Sequence, residues 1–287
     1  MKFLDKLDKS IIKNNSQLCV GLDPDPNKIE LLNHSFGEDF SRILNLKKRK
    51  IFSFCKNIID STSDLVCAFK PQIAFFAANR AEKDLEMVCE YIRKKYPDIL
   101  IILDAKRGDI ESTAKQYAFE VFDRYGADAV TVNPYLGFDS IEPYLEWRNK
   151  GVIVLCKTSN FGGKDIQCLI VKGKPLFFYI ANLVNKKWNI NGQCGLVVGG
   201  NHPKELSDIL NVSGNMPILV PGIGFQGGDI KEVFKACNGM KLDRLIFNSS
   251  RSIIYPTKKS SKDKFPDSVR KIALETRNII NFYKKNY

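Results

Sequence analysis

The sequence predicts a single (β/α)8 barrel over residues 1–287, and three observations carry that expectation. Short apolar runs alternate with amphipathic stretches, the pattern of a parallel α/β fold. Eight such runs can be marked, and polar residues gather just beyond them, where a barrel of this class keeps its chemistry. A chain of 287 residues is long for an ordinary domain but normal for one such barrel.

The strand candidates are 17–22, 65–70, 99–104, 128–132, 151–156, 194–199, 217–220 and 244–248. Helical candidates lie between them. Residues 83–95 carry Leu85, Val88, Cys89 and Ile92 at helical spacing, and residues 111–125 carry Ala114, Ala118, Val121 and Phe122. Residues 176–188 follow Pro175, which suits a helix's first turn. A closing helix over 266–284 follows the polar, basic stretch 256–265. The segment 33–62 adds a helical piece between the first two strands. A lid-like loop is expected around 158–175, glycine-rich at Phe161-Gly162-Gly163 and mixed in character after it. No internal repeat or interdomain linker divides the chain.

Composition narrows the function. Apolar residues at 44% and charged residues at 26% are those of a soluble globular protein. No run approaches the roughly 20 apolar residues of a membrane span. The start, Met1 to Lys6, lacks a signal peptide's apolar core, so a cytoplasmic location without membrane contact is expected. None of the eight cysteines forms a Cys-x-x-Cys pair, and Cys67, Cys156 and Cys194 fall in or beside strand runs, as buried reduced thiols do. With His34 and His202 the only histidines, no histidine-built metal site is expected. The net charge of +12 raises the question of nucleic acid. The basic clusters Lys47 to Lys50, Arg93 to Lys95 and Lys284-Lys285 lie on separate segments, and no aromatic-interleaved stripe joins them. A nucleic-acid partner is therefore not expected. A positive field also suits a small phosphorylated anion.

The chemistry concentrates after the third strand. Asp104 and Lys106 sit two apart, so strand alternation points them the same way, and Gly108 lets the chain turn before Asp109. Other strand ends add Asp23, Lys70 with Gln72, Asn133, Lys157-Thr158-Ser159-Asn160 and Gly199-Gly200-Asn201. After the seventh strand, Pro221-Gly222-Ile223-Gly224 and Gln226 supply the flexible backbone that lets N–H groups approach an anion. The eighth strand ends at Ser249-Ser250-Arg251, and Arg251 offers a planar fork for phosphate oxygens. Loops seven and eight form the usual phosphate site of this barrel class.

The spacing Lys70…Asp104-x-Lys106-x-x-Asp109, with Ile110 and Thr113 beyond it, resembles the orotidine 5′-phosphate decarboxylase family, in its longer, bacterial-type branch. Gly21-Leu22-Asp23-Pro24, Phe69-Lys70-Pro71-Gln72 and the Pro221 to Arg251 end extend the likeness over nearly the whole chain. The resemblance implies cofactor-free decarboxylation of orotidine 5′-phosphate to uridine 5′-phosphate, the last step of de novo pyrimidine nucleotide synthesis. It implies a homodimer in which Asp109 and Thr113 reach into the partner's site while Lys70, Asp104 and Lys106 act from their own subunit. It gives Asp23 to ribose hydroxyls, Thr158 or Ser159 to the pyrimidine edge, Gln226 to the closing phosphate loop and Arg251 to phosphate. Gln72, Pro221, Gly222, Gly224 and Ser250 complete the expected contacts. Two positions depart from the pattern: Ser250 where many relatives carry glycine, and Glu111 where they carry smaller residues.

Two other readings share parts of this pattern. A Mg²⁺-dependent 3-keto-gulonate-phosphate decarboxylase or hexulose-phosphate synthase has the same barrel and Asp-x-Lys-x-x-Asp core, but Lys70 and the Gln226–Arg251 end argue against it. A catalytically silent, nucleic-acid-binding barrel would not need every catalytic position filled.

Overall fold

A computed structural model describes residues 1–44, 49–223, 229–257 and 264–287. Eight parallel strands close into a barrel: β1 (Leu18–Leu22), β2 (Ala68–Pro71), β3 (Leu100–Arg107), β4 (Ala129–Val132), β5 (Gly151–Lys157), β6 (Cys194–Val198), β7 (Ile218–Val220) and β8 (Leu245–Ser249). Each pairs with its sequence neighbours, and β8 returns to β1 through Leu18 opposite Phe247. All eight expected strands are present. Alternation along them builds two cores. On β1, Leu18, Val20 and Leu22 pack outward under the helices, whereas Cys19 joins Leu100, Ile153 and Ile246 inside the barrel.

The expected helices form at Glu82–Lys95, Glu111–Phe119, Leu176–Leu183 and Asp267–Asn286. The second and third run on into π-helical turns at Glu120–Arg124 and Val184–Trp188, so their full spans match the apolar periodicity. The 33–62 segment is richer than one helix: Pro26–Phe36, Glu38–Leu44 and Lys50–Thr62 all lie between β1 and β2. The lid segment is also structured, with a 3-10 turn (Phe161–Gly163), a short helix (Lys164–Gln167) and a hairpin pairing Ile170–Val171 with Lys174–Pro175.

Among the helices that periodicity did not mark, which include Pro203–Ser213 and Ile230–Ala236, the one that shapes the barrel is Phe3–Asn14. Its buried Phe3 and Leu7 join the inner core, and Phe3 lies where a Cβ on Gly151, the first residue of β5, would stand. This helix plugs the barrel's N-terminal end, which leaves the C-terminal end as the open one. Seven of the eight cysteines are buried and Cys168 is exposed; all are free thiols. No helix among the described residues is long and apolar enough to cross a membrane.

Candidate active site

A cavity of about 750 Å³ opens at the C-terminal ends of the strands. Its charged floor is built by β2 and β3. Lys70 is 4% exposed, and its Nζ donates to Asp104 Oδ2 at 2.6 Å. From the other side, Lys106 Nζ donates to Asp104 Oδ1, also at 2.6 Å. One carboxylate thus joins two ammoniums, and each oxygen is taken by one of them.

Burial alone would push the Asp104 carboxyl up, but the two neighbouring ammoniums outweigh it and hold the group far below the usual carboxylate range. Burial likewise opposes the charged form of Lys70, and the Asp104 and Asp23 carboxylates more than compensate, so its pKa lies above that of a free lysine. Lys70 and Asp104 are therefore both charged at neutral pH. Lys106 differs from Lys70 in access: its side chain is 47% exposed, so its ammonium reaches the cavity from a buried anchor.

Regular alternation does not by itself set Lys106. The register of β3 against β4 shifts between Leu103 and Arg107, and Lys106 has a φ of +48°. The hydroxyl of Thr131, on β4 and 1% exposed, holds that irregularity together. Its Oγ1 accepts from Ala105 N at 3.1 Å and Lys106 N at 3.0 Å, and donates to Asp104 Oδ1 at 2.9 Å. Thr131 was not marked as a site residue in the sequence. The available signal was a hydroxyl inside an otherwise apolar strand, Ala129-Val130-Thr131-Val132.

The remaining walls come from six other strand ends. Asp23 follows β1, and its backbone is pinned by Tyr255, whose hydroxyl donates to Asp23 O at 2.8 Å and accepts from Asp25 N at 2.6 Å. Asp23 Oδ1 is buried with no hydrogen-bond partner among the described residues. Gln72 caps the short helix Ile73–Ala77 through Ala74 N. Thr158 is tied to the lid, its N donating to Gln167 Oε1 at 2.9 Å and its Oγ1 accepting from Gln167 Nε2 at 2.7 Å. Ser159, Pro221, Gly222, Ser250 and Arg251 also line the cavity. Gly222 has a φ of +87°, a conformation that favours glycine. Ser250 explains Gly21: a Cβ there would lie 1.8 Å from Ser250 Oγ. Asn248, the last residue of the expected eighth strand, lines the cavity as well, though it was not among the expected contacts.

Asp109 and Thr113 do not line this cavity. Thr113 is exposed and Asp109 half-buried, its Oδ1 accepting from Ile110 N. Near them in sequence, Ile110, Phe119, Tyr135 and Leu136 are exposed apolar side chains. Gly224 and Gln226 lie outside the described residues.

With this geometry in place, comparison with known proteins decides the family. A sequence model of the Orotidine 5′-phosphate decarboxylase / HUMPS family matches residues 16–261. The chain belongs to this family. It is 53% identical over 283 residues to the orotidine 5′-phosphate decarboxylase of Janthinobacterium sp. (strain Marseille), covering 99% of each chain. It is 51% identical to the same enzyme of Cupriavidus metallidurans, again over 99% of both. Among solved structures, Leishmania donovani OMP decarboxylase superposes with a TM-score of 0.78 at 33% identity, over 98% of this chain and 99% of that one. Family membership thus spans the whole barrel, including every strand end that lines the cavity.

Proposed function

We propose that this protein decarboxylates orotidine 5′-phosphate to uridine 5′-phosphate without a cofactor, and that Lys106 delivers the proton. The observation that carries the reading is the Lys70–Asp104–Lys106 array, in which one ammonium stays buried and the other reaches the cavity. In the reaction the bond from C6 of the pyrimidine to its carboxylate breaks, carbon dioxide leaves, and the electron pair stays on C6. No ring carbonyl conjugates well with that pair. An ammonium beside C6 stabilises it, transfers its proton to C6, and is reprotonated from water. Asp104 aims Lys106 through their hydrogen bond, and Lys70 balances the carboxylate from behind.

Binding follows the same frame. Asp23 takes ribose hydroxyls, Thr158 and Ser159 the pyrimidine edge, and Arg251 the phosphate, with Gln72, Pro221, Gly222, Gly224, Gln226 and Ser250 supporting the ends of the ligand. Phosphate binding lies away from the reacting carbon, so its energy serves to draw the lid over the site. The functional unit is a homodimer: Asp109 and Thr113, absent from their own cavity, complete the partner's, and the exposed Ile110, Phe119, Tyr135 and Leu136 supply apolar area for the contact.

The test is the loss of orotidine 5′-phosphate ultraviolet absorbance, with and without EDTA, for the parent and Lys106→Ala. The parent is expected to turn over equally in both buffers, and the variant to lose on the order of 10⁴-fold or more in kcat. A folded parent that leaves the substrate band unchanged would sink the reading. Sharing of the site has its own check. Mixing Lys106→Ala with Asp109→Ala subunits should restore up to about a quarter of parental activity, because half the dimers are mixed and each carries one intact site. Two inactive pools that stay inactive after exchange would rule out the shared arrangement.

A further inference from the structure

One buried charge has no part in the reaction above. Lys157, the last residue of β5, is 2% exposed, and no carboxylate lies within ion-pair distance of it among the described residues. Its Nζ instead donates to Nε2 of His202 at 3.3 Å. His202 opens the turn into the helix Pro203–Ser213, and its Nδ1 lies 3.8 Å from Glu205 Oε1. The ring that accepts from Lys157 is therefore neutral, with its proton on Nδ1 toward Glu205.

The neighbouring bonds give this pair a purpose. Lys157 immediately precedes Thr158 and Ser159, which line the cavity. The turn that carries His202 grips the same strip a second time, Asn201 Nδ2 donating to Ser159 O at 3.0 Å, and Gly199 N bonds Lys157 O at 2.7 Å. On its other side the strip is tied to the lid through Thr158 and Gln167. The segment 157–160 is thus suspended between the β6 turn and the lid.

We propose that Lys157 and His202 are positioning residues for the pyrimidine-edge strip, and that the strip holds its place only while the His202 ring is neutral. This inference rests on the decarboxylase reading for what the strip binds, but not for the pair itself. Lys157 from β5 and Glu205 from the following helix are the charged groups acting on the ring. Burial, then the Lys157 cation, disfavours the protonated ring, while Glu205 and a backbone hydrogen bond to Thr158 favour it less strongly, so its pKa lies below the ordinary histidine value. A protonated ring has no lone pair for Lys157 and sets two cations face to face, so acid releases the strip.

The test compares the parent with His202→Gln, whose carboxamide oxygen accepts from Lys157 and does not titrate. The two histidines, His34 and His202, give two ring signals in an NMR titration, and the variant assigns them. In the parent, the amide shifts of Thr158, Ser159 and Asn160 should follow the His202 ring signal as acidification from about pH 7.5 protonates it. In the variant they should stay flat. Strip amides indifferent to the ring, or moving equally in both proteins, would overturn the proposal. This readout needs no turnover, so it stands apart from failure of the decarboxylase reading. With orotidine 5′-phosphate as substrate, KM should rise several-fold more on acidification in the parent than in His202→Gln, with kcat little changed. The phosphate of the substrate titrates in both, so the difference between the two proteins is what counts. Equal acid limbs would again overturn it.

Discussion

Two lysines are buried at the top of this barrel, and they are held by opposite means. Lys70 faces a carboxylate at 2.6 Å that is itself held by a second ammonium. Lys157, equally buried, faces a neutral imidazole. The first arrangement is insensitive to pH over the neutral range, because the carboxyl of Asp104 is held far below it. The second depends on a ring whose protonated form is disfavoured by burial and by Lys157 itself. Charge that serves chemistry is locked; charge that serves placement is held on a releasable bond.

The strongest way to break the comparison is Asp104→Asn. It leaves two ammoniums facing each other with a neutral carboxamide between them. Removing one partner from a buried ionic cluster costs about 3–5 kcal/mol, and turnover should fall by at least about 10³-fold as Lys106 loses its aim. Urea unfolding and the absorbance assay measure the two effects separately. Unchanged stability would mean that the lysines are kept in place by packing rather than by the carboxylate.

A smaller effect is expected behind the array. Thr131→Val preserves shape but deprives the Ala105 and Lys106 amides of their acceptor and Asp104 of a donor. A buried unsatisfied polar group costs about 1–3 kcal/mol. The register shift that presents Lys106 should relax, lowering kcat about 10- to 100-fold with KM nearly constant. Thr131→Ser should recover most of the loss. If the serine variant is as impaired as the valine, the methyl rather than the hydroxyl is what matters.

The same residues also show how far the sequence could be read. The eight strands and four of the helices follow from periodicity because their apolar faces are continuous. Lys70, Asp104 and Lys106 were legible because charges inside or directly after buried strands have few structural explanations. Thr131 was not, since threonine is an ordinary strand residue and its three hydrogen bonds join segments 25 to 27 positions apart. The Lys157–His202 contact spans 45 positions. Both residues were visible, one at a strand end and one of only two histidines, but nothing local says that they meet. The N-terminal helix was overlooked for a related reason: its worth lies in plugging a barrel end, a surface that exists only after all eight strands close.

The smallest effect tests the comparison through stability alone. For His202 the folded pKa lies below the unfolded value of about 6.5. The unfolded chain therefore takes up its proton first. The ring's contribution is fully present above about pH 6.5 and is lost as pH falls through the lower folded value. For Asp104 the folded pKa is also depressed, but from about 3.9, so its contribution survives to about pH 4 and is lost below it. The parent should accordingly weaken in two stages on acidification, a shallow one beginning near pH 6.5 and a steeper one below pH 4. Urea midpoints taken from pH 8 to pH 3 resolve them. His202→Gln should remove the shallow stage and leave the steep one, whereas Asp104→Asn should keep the shallow stage and lessen the steep one, to which Asp60 and Asp64 also contribute, from a lower starting stability. If His202→Gln instead lowers stability by the same amount at every pH, the ring contributes packing rather than a titrating bond, and the two lysines are held in more similar ways than their surroundings indicate.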